Sequence, residues 1–371
     1  MTGNQNHDDD ASSSTSSLSS SKMLKNFDHD GVASWSDVNQ DVLFLVMMQL
    51  GFVDFFAFKG VCKSWSSFAV SNMNIFMASK PPMEIYFSME ANEDYWCHLE
   101  DFGGRTFKTI LPHSTWRRCV LGCTCGYLIL FRREKTQDFL LVNPITKHKL
   151  YFPHWPTDVD DDDETFRGIL VFSRSTSEWV FVVLNRNILT YGVGSENRSF
   201  HISGKQGWNR VSSTLPILEL HIFKGKIYTL DTDYCLGELK LHLKSKQKGE
   251  CTLLKTKNFP KRNFFDLSFP PLLVSWAENL YVISGHAIHE LDFSEMKWVS
   301  PEKTIGEYAV FVSRLKSCAA IKPKSWAGPQ TQCYTTYDYF SATDESRQGV
   351  FCYEGMWYFP HDCSNVNLLD E

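Results

Sequence analysis

Gly126-Tyr127-Leu128-Ile129-Leu130-Phe131, then Phe139-Leu140-Leu141-Val142-Asn143-Pro144-Ile145-Thr146 and, further on, Pro153, decide the fold class of this chain. Branched and aromatic residues in short runs favour strands, and Gly and Asn-Pro punctuate them as turns. Asn143 precedes a proline and is therefore held extended, and its side chain is free to accept from turn amides. The phrase reads as strand, turn, strand, turn. Three more segments have the same texture: Gly168-Ile-Leu-Val-Phe172, Gly225-Lys-Ile-Tyr-Thr-Leu-Asp231 and Asn279-Leu-Tyr-Val-Ile-Ser284. Each is followed by a second run: Trp179–Leu184, Leu236–Leu241 and Ile288–Asp292.

The four starts lie 42, 57 and 54 residues apart, and Trp208 and Trp298 follow the second and fourth pairs. Strand–turn–strand–Trp at this spacing resembles kelch propeller blades, whose period is about 50 residues. Radial closure also removes the exposed edges that many short strands create. Residues 83–362 are therefore expected to form an all-β domain, a degenerate kelch-like β-propeller of five or six blades. The tail Gly349–Tyr353 and Met356–Phe359 is expected to supply closing strands.

The chain before residue 90 is different. Eight of ten methionines lie there, and Met favours helices. Residues 36–70 read as two or three short helices. Asp37 and Asn39 offer N-cap oxygens ahead of Gln40. Val42–Met48 is apolar on every face, and such a helix must be covered on every face. Gly51 fits a helix C-cap. Asp54 is placed as the next cap, before a face made by Phe55, Phe58, Val61, Cys62 and Trp65.

Trp35–Leu43, Leu50, Asp54 and Val61-Cys62-Lys63-Ser64-Trp65 together resemble an F-box, and the Val-Cys-Lys-x-Trp finish is close to the plant form. Val38 and Asn39 stand where the family has Leu and Pro. The Gly126–Pro153 phrase resembles the segment that follows the F-box in plant F-box/kelch-like proteins. The resemblance implies a non-catalytic substrate-recognition subunit of an SCF-type E3 ubiquitin ligase. Residues 34–75, a small α-helical module, would bind the Skp-type adaptor of a cullin complex. The β domain would bind a target protein. The adaptor-binding candidates are Val38, Asn39, Leu43, Val46, Leu50, Phe58, Val61 and Trp65. The substrate and its binding residues are unknown at this level. A propeller binding module without ligase activity and a lectin-like sugar binder are the alternatives.

Other features narrow the function. The net charge is −6 from 37 basic and 43 acidic residues, with no clustered basic footprint for nucleic acid. The acidity sits in two places, residues 1–33 and Asp158–Glu164. Residues 1–33 are Ser/Asp-rich, too polar to offset ordering entropy, and are expected to be a disordered tail. No apolar leader opens the sequence. The longest apolar run, Val42–Phe58, is interrupted by Gln49 and Asp54 and is shorter than the ~20 residues a membrane span needs. Eleven cysteines without a ladder of spacings suit free thiols in the cytoplasm and/or nucleus. Cys119, Cys123 and Cys125, with His113 nearby, lack the second pair of a zinc site, and the cysteines are expected in the core. Asp158–Glu164 lacks the alternation and Gly of a calcium loop. His286 and His289 do not share a strand face. No metal, no cofactor and no catalytic motif is expected.

Overall fold

The computed structural model describes residues 35–89, 95–101, 104–112, 118–132, 137–156, 166–174, 176–185, 199–204, 207–212, 217–243, 248–260, 271–276, 278–284, 287–301, 309–312, 319–321, 333–335, 356–360 and 368–369. Two compact units divide the chain, Met1–Ser71 and Asn72–Glu371. The tail 1–33, the acidic run 158–164, His113, His286 and Gly349–Tyr353 lie outside the described residues.

In the first unit a 3-10 turn at Trp35–Asp37 precedes α1 (Gln40–Gln49), α2 (Phe52–Gly60) and α3 (Lys63–Ser71). Two expected caps move. Leu50 is the C-cap of α1, while Gly51 is the N-cap of α2, extended at φ −71°. Asp54 therefore sits in the first turn of α2 rather than capping it, where a carboxylate still favours the helix dipole. The continuous face from Phe55 to Trp65 is also divided. The chain leaves the helix at Val61 and Cys62, so Trp65 belongs to α3.

The second unit starts with α4 (Met73–Ala78) and is otherwise strands. The first sheet contains β1 (Met83–Met89), β2 (Tyr95–Glu100) and β3 (Thr106–Ile110). The second runs β4 (Arg118–Thr124), β5 (Tyr127–Arg132), β6 (Asp138–Val142), β7 (Lys149–Phe152). The third holds β8 (Phe166–Ser173), β9 (Glu178–Asn185), β10 (Ser199–Gly204) and β11 (Gly207–Ser212). The fourth has β12 (Ile217–Phe223), β13 (Lys226–Asp231), β14 (Leu236–His242) and β15 (Lys248–Leu254). The fifth has β16 (Leu272–Trp276), β17 (Asn279–Ser284), β18 (Ala287–Asp292) and β19 (Lys297–Val299). A sixth, three-stranded sheet contains β20 (Ala309–Val312), β21 (Ala319–Ile321) and β22 (Cys333–Thr335). Then β23 (Met356–Tyr358) returns to pair with β1, and β24 (Leu368–Leu369) lies parallel to β8. Five sheets thus reach at least four strands, the blades of a propeller, and the late strand β23 completes the first.

The uneven spacing read from sequence has a physical cause. Gly126 and Gly225 end two-residue turns with both φ angles positive, Cys125–Gly126 at 48° and 70° and Lys224–Gly225 at 47° and 74°. Such turns match the twist of a tight hairpin and join the first and second strands of their sheets. Gly168 plays another part. It lies inside β8, where an added Cβ would sit 2.6 Å from the Phe181 ring. Three glycines that look alike in sequence therefore mark two different places in a blade. Measured on the second strands β5, β9, β13 and β17, the starts are 51, 48 and 53 residues apart, close to the expected period.

The third-to-fourth strand turns also repeat. Asn143 Oδ1 accepts from the amides of Ile145 (3.0 Å) and Thr146 (2.9 Å). Asp292 Oδ1 accepts from those of Ser294 (2.8 Å) and Glu295 (3.3 Å) in the fifth sheet. Apolar clusters fill the gaps between neighbouring sheets. Branched aliphatics dominate between the third and fourth, and Phe131, Phe139, Phe166 and Phe181 between the second and third. Arg167 on β8 meets Glu219 on β12 at 3.7 Å, both buried, and His221 meets Ser275 at 2.9 Å between the fourth and fifth.

Candidate functional site

Asn39 starts the helical unit. Its side chain accepts from the Asp41 amide at 2.7 Å and its carbonyl from the Leu43 amide at 3.0 Å. An Asn is as good a cap as the helix needs. From that start α1 buries Leu43 and Met47, one turn apart. Three other apolar residues of the helix point elsewhere: Val42, Leu45 and Val46 are 49%, 65% and 41% exposed. They form an i, i+3, i+4 stripe of uncovered apolar surface. Val61, where the chain passes from α2 to α3, is 49% exposed.

In α2 the side chains of Phe52, Phe55 and Phe58 are buried. Trp65 packs on Phe58 with centroids 4.7 Å apart and meets Trp35 edge-on at 6.0 Å. Its indole N–H donates to the Trp35 carbonyl at 2.8 Å. The tryptophan that ends the motif is thus a clasp between the 3-10 turn and α3.

The eight sequence-selected residues consequently separate by role. Leu43 and Phe58 are buried, Val38, Leu50 and Trp65 half-buried, and Asn39, Val46 and Val61 exposed. Val42 and Leu45 lie outside the eight expected positions although they are uncovered. The signal for them was present: with Leu43 and Met47 on one face, helical spacing puts Val42 and Leu45 on another.

Two comparisons with known families fit these two units. A model of the F-box domain matches residues 35–76, and a model described as the KIB1-4 beta-propeller matches residues 86–354. The chain belongs to the KIB1-4 beta-propeller family. It carries an F-box domain ahead of that propeller. An F-box protein of Arabidopsis thaliana is 27% identical over 126 residues, 34% of this chain and 30% of that protein. The match thus spans under a third of that relative. A solved structure of the Aleuria aurantia lectin, in complex with Fucalpha1-6GlcNAc, covers 68% of this chain and 84% of its own at 11% identity. Its TM-score is 0.29, which says nothing about what the propeller binds.

The cysteine trio lies in the second sheet of the propeller. The Cys119 thiol donates to the Phe131 carbonyl and Cys125 to that of Leu170, both at 3.4 Å. Among the described residues no three His, Cys, Asp or Glu side chains are arranged to hold a metal ion. No helix among them is long and apolar enough to cross a membrane. Burial and the Arg210 charge hold His201 down at a pKa of about 4. Its ring meets Trp155 edge-on at 4.5 Å. His289 is also lowered, by burial.

Proposed function

We propose that the protein is the substrate-recognition subunit of an SCF-type ubiquitin ligase, acting in the cytoplasm and/or nucleus. Residues 34–75 dock on a Skp-type adaptor and through it on a cullin, and residues 83–362, with their kelch-like strand–turn–strand–Trp blades, hold a target protein. The observation that carries this reading is the uncovered Val42–Leu45–Val46 stripe on an F-box domain, in which Val61 is uncovered as well. An apolar face of this kind is what a partner's groove covers. The protein performs no bond chemistry. It tethers a target so that the local concentration of its lysines near a charged ubiquitin carrier rises.

The test is co-purification of the full chain with a Skp-type adaptor, against a chain lacking residues 35–70. Retention by the full chain alone is expected. A full chain that ignores the adaptor is instead a propeller binding module outside any ligase. Asn39→Pro, whose φ of −56° already suits proline, reports whether the family's proline adds adaptor contact.

A further inference from the structure

Among the described residues, β8 forms a ladder along its whole length on one side only. All eight of its residues have a partner on β9, from Phe166 opposite Asn185 to Ser173 opposite Glu178. The other side is the free edge of the third sheet, where β8 lies between β4 and β12, the first strands of the second and fourth sheets. Neither of those strands extends the sheet. A strand edge carries amides and carbonyls that seek partners, and this one draws them from two places. The Leu170 amide donates to the Thr124 hydroxyl at 3.1 Å, and the Leu170 carbonyl accepts from the Cys125 thiol at 3.4 Å. Two residues further on, β24 joins as a parallel strand, with Leu368 opposite Phe172 and Leu369 opposite Ser173.

That attachment is slight. β24 has two residues, whereas every other described strand has three or more. Parallel pairing is less stable per residue than antiparallel pairing, and a backbone hydrogen bond nets little once water has been exchanged. The support beneath is firm. β8 is held by its full ladder to β9 and by apolar clusters on both faces, Ile169 and Val171 on one and Phe166 and Leu170 on the other. A short strand on such a support opens without the support opening. The seat also has a chemical direction. A segment lying parallel to β8 carries its continuation toward Arg174, which follows Ser173 and is exposed. A carboxylate is favoured there and a basic residue opposed.

We propose that the Phe172–Ser173 edge is a strand-addition site whose occupant from the same chain, Leu368–Leu369, gives way to an extended segment of a captured protein. Strand addition takes its affinity from main-chain hydrogen bonds and its selectivity from side chains. The resident strand is the template for the incoming one: two consecutive leucines followed by carboxylates, as in Val366-Asn367-Leu368-Leu369-Asp370-Glu371. The resident strand is tethered, which raises its local concentration at the edge, so an untethered segment competes only when other contacts hold its protein on the propeller. The identification of the incoming segment as part of a ligase target rests on the receptor reading, and the exchange itself does not.

The probe is the peptide Val-Asn-Leu-Leu-Asp-Glu with a fluorescent label at its amino end, titrated by anisotropy into the full chain and into a chain ending at residue 363. The shortened chain keeps β23. Saturable binding to it is expected, about tenfold tighter or better than to the full chain, whose edge is occupied. Leu368→Pro with Leu369→Pro in the full chain removes two backbone N–H groups from the resident strand and opens the edge in the same way. This variant carries the test if the shortened chain does not melt cooperatively. A peptide with proline in place of both leucines binds about tenfold more weakly than the parent or worse. Arg174→Glu in the opened chain weakens the parent peptide about threefold, as reversal of an exposed charge does. Equal affinity of full and opened chains, equal binding of the proline peptide, indifference to Arg174→Glu, or no saturation at millimolar peptide overturns the assignment. Adaptor retention is measured on the same proteins. Retention without peptide binding overturns the strand-addition site alone, and peptide binding without retention overturns the ligase reading alone.

Discussion

Placing aspartate at both Leu45 and Val46 tests the interface with the least damage to the fold. Both side chains project from α1 away from Leu43 and Met47. Together with Val42 and Val61, what they leave uncovered amounts to about two whole aliphatic side chains. Burying one such side chain is worth about 1.5–3 kcal/mol, so covering the stripe contributes about 3–6 kcal/mol to adaptor binding. Leu45 and Val46 supply half of that area. Losing their share alone weakens binding about ten- to hundredfold. The desolvated carboxylates add to the loss. The fold has little to lose, because exposed substitutions away from special features usually change stability by about 0.5 kcal/mol or less. Calorimetric titration with purified Skp-type adaptor measures the affinity, and a thermal melt of the same protein measures the fold. A weakening below threefold would refute the interface. A melting temperature that falls in parallel would show that the residues support the domain instead.

Asn39→Ala removes the α1 cap and lowers the stability of the helical unit by about 1 kcal/mol in denaturant titration. Gly168→Ala forces a methyl into the Phe181 ring and costs the propeller about 1–3 kcal/mol, while adaptor binding is unchanged. Glu219→Ala leaves Arg167 charged and buried between the third and fourth sheets and costs about 3–5 kcal/mol, read from the same titration. His201 makes stability depend on pH. The unfolded chain takes up this proton near pH 6.5 and the folded one only near 4, so the unfolded state binds more protons between them. Stability therefore falls as pH drops from about 6.5 to about 4 and this contribution levels off below that. His201→Gln removes that part of the slope in melts recorded across the window.

Much of the architecture was legible in the residues. The Asn143-Pro-x-Thr turn behaves as its composition requires, and the runs beginning at Tyr127, Trp179, Leu236 and Asn279 all lie within strands. What blurred the repeat was glycine, because a glycine that permits a positive φ and one that admits a phenylalanine ring leave the same letter. Helix limits failed for a similar reason. Gly51 can end one helix or begin the next, and only its extended backbone decides. The site was half legible. The apolarity of Val42–Met48 announced an uncovered surface, but which side chains stay uncovered depends on which ones the neighbouring helices bury.

The pairing of β23 with β1 has a consequence for synthesis. Met83 of β1 is made early, yet its partner Tyr358 follows 275 residues later. At about 5–20 residues per second the first sheet waits roughly 14–55 seconds for the strand that covers its edge. During that interval β1 presents open backbone groups beside apolar side chains, the kind of edge that recruits stray strands. A growing chain of this design depends on protection until its final blade partner leaves the ribosome, and any truncation before residue 356 makes that exposure permanent.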